Sequence, residues 1–120
     1  MSLTKQAKTL TPKQVKFMSD YLRTKRNGLR NQTVFLLSVY SGLRAKEISQ
    51  LKFTEIINSD SEIDNYINLT NASSKGNSGR SIPIHKQLKA NLIELLNYYK
   101  QFKHFDITTA YVIQTERSNR

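Results

Sequence analysis

Between residues 30 and 42 the chain packs Val34, Phe35, Leu36, Leu37, Val39 and Tyr40 into one short stretch and then breaks at Ser41-Gly42. A helix this densely apolar has no broad face to give to water, so other elements must cover it. The pattern predicts a buried helix from about Arg30 to the Ser41-Gly42 break, central to one core. At 120 residues the chain has the length of a single domain and enough mass for an apolar interior.

The flanking sequence supplies candidates to surround that helix. Thr11-Pro12-Lys13-Gln14 combines an N-cap threonine, a proline at the first helical position and a glutamine at the capping-box position. A helix is expected from there, with Val15, Met18 and Leu22 at spacings of three and four, Phe17 and Tyr21 widening the stripe, and Asn27-Gly28 as its stop. After Ser41-Gly42 a short helix is expected over Leu43 to about Leu51, with Ile48 and Leu51 one turn apart. A last helix, Lys86 to Phe102, carries Leu88, Leu92, Leu95, Leu96 and Tyr99 on one side.

Between these helices the period changes. Phe53, Ile56 and Ile57 point to a short strand, Tyr66 to Thr70 alternates as a second, and Arg80 to Ile84 reads as a returning strand whose Pro83 belongs at an edge. Ala72 to Gly79 is a Ser/Gly/Asn-rich turn between the last two. Tyr111-Val112-Ile113 forms a final apolar patch, either a strand or a docking segment. The elements so far are helices and three short strands, an α+β mixture. Residues 1–10 are polar and lysine-rich and read as a flexible basic arm.

Charge narrows the partners. The formal net charge is +10, unevenly spread. Residues 1–30 hold Lys5, Lys8, Lys13, Lys16, Arg23, Lys25, Arg26 and Arg30 against Asp20, and residues 71–90 hold Lys75, Arg80, Lys86 and Lys89 with no acid. Two basic blocks of this kind favour a polyanion, through counterion release from phosphates, over a small neutral substrate. A solvated basic surface that aids solubility is the plain alternative. The absence of cysteine excludes disulfides and thiolate metal sites, and His85 and His104 are far apart, so no metal or other cofactor is expected. No apolar run approaches the roughly 20 residues that span a bilayer, and the N-terminus has no signal-peptide core. The chain therefore reads as a cytoplasmic protein without a membrane partner.

Two segments carry candidate chemistry. In SGLRAKEISQL (Ser41 to Leu51) Arg44 falls in the first turn of a short helix just after a glycine break, where a guanidinium can clamp a phosphate through two hydrogen bonds. Glu47, three residues on, is placed to orient it, unless the two are simply a surface Arg/Glu pair. In SSKGNSGRSIPI (Ser73 to Ile84) Lys75 lies near a turn with Gly76 and Gly79 behind it, a mobile cation for a DNA groove or leaving oxygen, or else a solvated turn lysine.

Taken together, these segments resemble the tyrosine recombinase, or phage integrase, family. SGLRAKEISQLKF is similar to its box I, and KGNSGRSIPI to the strand-turn-strand that carries a lysine at its first position, 31 residues beyond Arg44. The resemblance implies that residues 11–120 form the first part of a recombinase catalytic domain, an α+β, mainly helical fold with a small three-stranded antiparallel sheet. It implies double-stranded DNA as substrate, other recombinase protomers as possible partners, and strand exchange through a 3′-phosphotyrosyl link without metal.

By the same resemblance Arg44 is the first catalytic arginine, stabilising charge on nonbridging phosphate oxygens. Lys75 is the general acid that protonates the leaving 5′ oxygen. Glu47 supports Arg44, and Lys46, Arg80 and Lys86 are expected DNA contacts. The family's second half, a His-x-x-Arg box and then a nucleophilic tyrosine, has no counterpart. Leu88 and Ile107 stand three residues after His85 and His104, and none of the six tyrosines is placed as a nucleophile. The chain alone is thus expected to bind DNA without cleaving it. The alternative is a noncatalytic DNA-binding or interaction module derived from an integrase. A helix-turn-helix regulator fits poorly, because AKEISQL is followed by KFTEIINSD and strand-like residues instead of a recognition helix.

Overall fold

The computed structural model describes residues 10–69 and 80–114. Among the described residues four α-helices dominate: α1 (Pro12–Arg23), α2 (Gly28–Ser41), α3 (Ala45–Gln50) and α4 (Lys86–Tyr99). Strands β1 (Tyr66–Leu69) and β2 (Arg80–Pro83) lie between α3 and α4 in sequence. Helix α2 is the hub, packed against α1, α3 and α4. Its Thr33, Leu36 and Leu37 are fully buried, as the apolar density of the segment requires. Helix α4 brings Leu88, Leu92, Leu95, Leu96 and Tyr99 to the same core. Each such aliphatic side chain contributes about 1.5–3 kcal/mol on burial.

Helix α1 begins as its sequence dictates. The Thr11 hydroxyl accepts the Gln14 N–H at 3.1 Å, and the Gln14 side chain accepts the Thr11 N–H at 2.9 Å. Its end differs from expectation. The helix stops at Arg23, and Gly28 opens α2 instead of closing α1. Asn27 adopts a left-handed backbone with φ 59°. At Gly28 a Cβ would sit 2.5 Å from the Arg23 carbonyl oxygen. The glycine thus permits a close crossing of two helices, a tertiary need that a local reading mistakes for a stop.

The expected stripe on α1 also shifts. Val15 and Ser19 face inward, whereas Phe17 is 70% exposed and Met18 and Tyr21 remain largely open to solvent. With Leu10, Lys13, Gln14 and Phe35, Phe17 and Met18 line an apolar groove of about 530 Å³. The inward polar residues are hydrogen-bonded: Gln32 Nε2 donates to the Ser19 hydroxyl at 2.8 Å, and Asn91 Nδ2 donates to Gln32 Oε1 and Thr33 Oγ1, both at 3.1 Å. Helices α1, α2 and α4 are therefore joined by a satisfied polar network as well as by apolar packing.

The sheet has two antiparallel strands among the described residues, not three. Tyr66 pairs with Pro83, Ile67 with Ile82, Asn68 with Ser81 and Leu69 with Arg80. The stretch expected as the first strand is instead a 3₁₀ turn, Phe53–Glu55. Phe53 and Ile56 are both fully buried. Their spacing of three places them on one side of a tight turn, which strand alternation cannot do. Glu55 closes the turn by accepting the Lys52 N–H at 3.0 Å. The Tyr111 patch docks here. Lys52 and Tyr111 form an isolated antiparallel bridge, Val112 N–H donates to the Leu51 carbonyl at 2.9 Å, and Val112 is fully buried. Among the described residues no helix is long and apolar enough to cross a membrane.

Candidate functional site

Arg44 is set by the turn that ends α2. Gly42 takes a left-handed backbone, φ 67°, and its N–H donates to the Ser38 carbonyl at 3.1 Å. The next residue, Leu43, is buried and anchors the turn in the core. Arg44 follows in an extended conformation (φ −82°, ψ 160°) as the N-cap of α3, one position before the helical turn expected for it. Its carbonyl accepts the first intrahelical bond, from Ile48 N–H at 2.9 Å. A buried leucine on one side and a helix start on the other fix its backbone, while its side chain is exposed.

Glu47 is close to Arg44, as expected, but it holds a different atom. Its Oε1 accepts the Arg44 backbone N–H at 2.9 Å. Its Oε2 accepts a hydrogen bond from Arg80 Nη2, also at 2.9 Å. The carboxylate therefore steadies the Arg44 main chain and leaves the Arg44 guanidinium, which has no ion-pair partner among the described residues. The capping-box spacing of Arg44 and Glu47 is a local signal for the first bond. The second joins residues 33 apart in sequence, and nothing local announces it.

The other candidates are partly gathered around this turn. Lys46 lies exposed on α3. Arg80 opens β2 opposite Leu69 and is paired with Glu47. Lys86 is the first residue of α4 and is exposed. A ring stack absent from the sequence reading places it: Tyr40 of α2 and His85, the N-cap of α4, lie parallel with centroids 3.8 Å apart. That contact sets the start of α4 against the end of α2 from which the chain runs into Arg44. His85 Nδ1 accepts the Gln87 N–H at 3.0 Å, capping α4. Lys75 lies outside the described residues, in the connection between Leu69 and Arg80. Among the described residues no group of three or more His, Asp or Glu side chains gathers as a metal would require.

A family model for the phage integrase family matches residues 8–119. The chain belongs to the phage integrase family.

The fold agrees with this membership. Two solved structures of the Tn1549 transposon integrase resemble the chain over 91% of its length at 16% identity. The complex with circular intermediate DNA gives a TM-score of 0.58, and a tyrosine-to-phenylalanine variant with transposon right end DNA gives 0.59. The chain spans 37% and 38% of those integrase chains. No curated protein matches it. For an integrase-family chain, the expected strands Tyr66 to Thr70 and Arg80 to Ile84 correspond to β1 and β2, and the short helix starts at Ala45, two residues later than expected.

Proposed function

We propose that this chain contacts the DNA backbone as the first part of a site-specific recombinase site, with Arg44 as its phosphate clamp. The observation that carries the reading is the state of Arg44: its backbone is fixed by Glu47 and the α3 start, while its guanidinium is exposed and unpaired among the described residues. An arginine held in this way presents its planar fork of donors to solvent from a fixed main chain, where it can meet two phosphate oxygens at once. Family membership and the DNA-bound state of the Tn1549 integrases point the same way. The charge supports it as well. Lys86 is exposed at the first position of α4, whose first turn contains no acid, although the helix dipole there disfavours cations. Its positive charge suits an external anion better than the helix that bears it.

In this reading Arg44 stabilises negative charge that grows on the nonbridging oxygens during transfer, and Lys75 donates a proton to the leaving 5′ oxygen. Lys46 and Lys86 add phosphate contacts, and Glu47 positions the Arg44 turn. The role of Lys75 rests on its motif alone. Strand cleavage also needs a nucleophile and a His-x-x-Arg arginine, neither of which occurs at a matching place in these 120 residues. The chain by itself therefore binds duplex DNA without joining to it. A noncatalytic DNA-binding or interaction module derived from an integrase is the second reading, and it shares the basic surface and the Arg44 turn described above.

Electrophoretic shifts of a duplex at several salt concentrations, run beside a denaturing gel, test the proposal. Salt-sensitive retardation without a covalent adduct is the expected result. Retardation that ignores salt contradicts backbone contact.

A further inference from the structure

Glu47 uses both oxygens of one carboxylate, and each serves a different element. Oε1 accepts the Arg44 N–H, and Oε2 accepts from Arg80 Nη2, both at 2.9 Å. The Glu47 side chain is only 17% exposed, against 48% for Arg80. A charge pair with one member largely shielded from water is screened less than one between two exposed ends. Arg80 also stands at a mechanically important place. It pairs across the sheet with Leu69, and this rung closes the connection in which Lys75 lies. A single carboxylate therefore links the turn that presents Arg44 to the base of the connection that contains Lys75.

This geometry argues against the simplest role for Arg80, a direct DNA contact. Its charge is balanced by Glu47. Transfer of Arg80 to a phosphate would leave the Glu47 carboxylate unpaired beside a polyanion. We propose that Glu47 and Arg80 form a positioning couple that holds the Arg44 turn against the start of β2, and that Arg80 makes no phosphate contact of its own. The proposal rests on the reading of Arg44 as a phosphate-site residue, although the coupling itself can be measured without DNA.

The decisive experiment follows the Arg44 backbone amide by hydrogen exchange on ¹⁵N-labelled full-length chain, in the natural sequence, Arg80→Gln, Arg80→Lys and Glu47→Gln. Arg80→Gln is expected to speed Arg44 exchange roughly threefold, the scale on which a single ion pair acts. Arg80→Lys, which keeps the charge, should recover part of the protection. An Arg44 amide that exchanges equally in the natural sequence and Arg80→Gln overturns the couple. If Arg80→Gln does not fold, the Arg80→Lys and Glu47→Gln chains decide by the same amide: faster exchange in both supports the couple, and none overturns it.

A salt series with duplex DNA then separates positioning from contact. A positioning role lowers affinity in Arg80→Gln without changing the slope of log K against log salt. A slope shallower by about 0.9 marks a lost phosphate contact and overturns the assignment. If the natural chain itself fails to bind DNA, the DNA reading falls while the amide result still decides the coupling.

Discussion

The Tyr99 hydroxyl of α4 donates to the Val112 carbonyl, 3.2 Å away, and so fastens the docked tail to the last helix. Burial pushes this phenol above its usual range, and the smaller effects of a backbone hydrogen bond from Gln114 and the charge of Arg30 do not reverse that. In the unfolded chain it ionises at about pH 10. Below that pH both states keep the proton and the bond contributes fully. Above it the unfolded chain loses the proton first, so stability falls as pH rises toward the folded pKa. Tyr99→Phe is expected to cost about 0.5–1.5 kcal/mol at neutral pH and to flatten the alkaline decline. Urea midpoints from about pH 8 to about pH 11, the window set by the free phenol, measure both effects.

Asn91 joins α4 to α2 through the Gln32 and Thr33 side chains. Asn91→Ala removes the shared donor from a buried site. The expected loss is about 1–3 kcal/mol, because the remaining polar atoms lose a partner that water cannot replace. Chemical denaturation with an unchanged m value checks that the loss lies in the native state.

Gly28 and Gly42 are needed for different reasons, and substitution separates them. Gly42→Asn should be tolerated well, since asparagine visits the left-handed region and no atom lies within 4 Å of the site of a new Cβ. Gly28→Asn should cost about 1–3 kcal/mol, because any Cβ meets the Arg23 backbone. Thermal melts of the two variants provide the comparison, and equal midpoints would contradict it.

His85 accepts a backbone N–H at Nδ1, so its neutral ring carries the proton on Nε2. Long-range ¹H–¹⁵N spectra read the tautomer directly. A proton on Nδ1 would mean that the α4 cap and the orientation of the Tyr40 stack differ from the structure.

The elements legible in the sequence are those whose signals are local. Thr11-Pro12-Lys13-Gln14 specifies the start of α1, the apolar density from Val34 to Tyr40 specifies a central helix, and Gly42 ends it. The errors occur where long-range packing decides. Gly28 looks like a stop because its crossing contact with Arg23 is invisible in sequence. Phe53 and Ile56 look strand-like by composition, although their spacing of three is that of a turn. Arg44 and Glu47 were identifiable as a pair, but which atom of Arg44 Glu47 grips depended on the backbone geometry at the α3 N-cap. The Glu47–Arg80 link needed β2 to fold back beside α3. Lys75 rests on its motif because its structure is not among the described residues.

Whether Arg44 meets a DNA phosphate is read from equilibrium binding of a duplex over a salt series to the natural chain and to Arg44→Ala, with thermal midpoints measured in parallel. A linear fall of log K with log salt is expected for the natural chain, and a slope smaller by about 0.9 for the variant, with the thermal midpoint preserved. An unchanged slope, or a loss of binding that appears only with a collapse of the thermal midpoint, would contradict that contact.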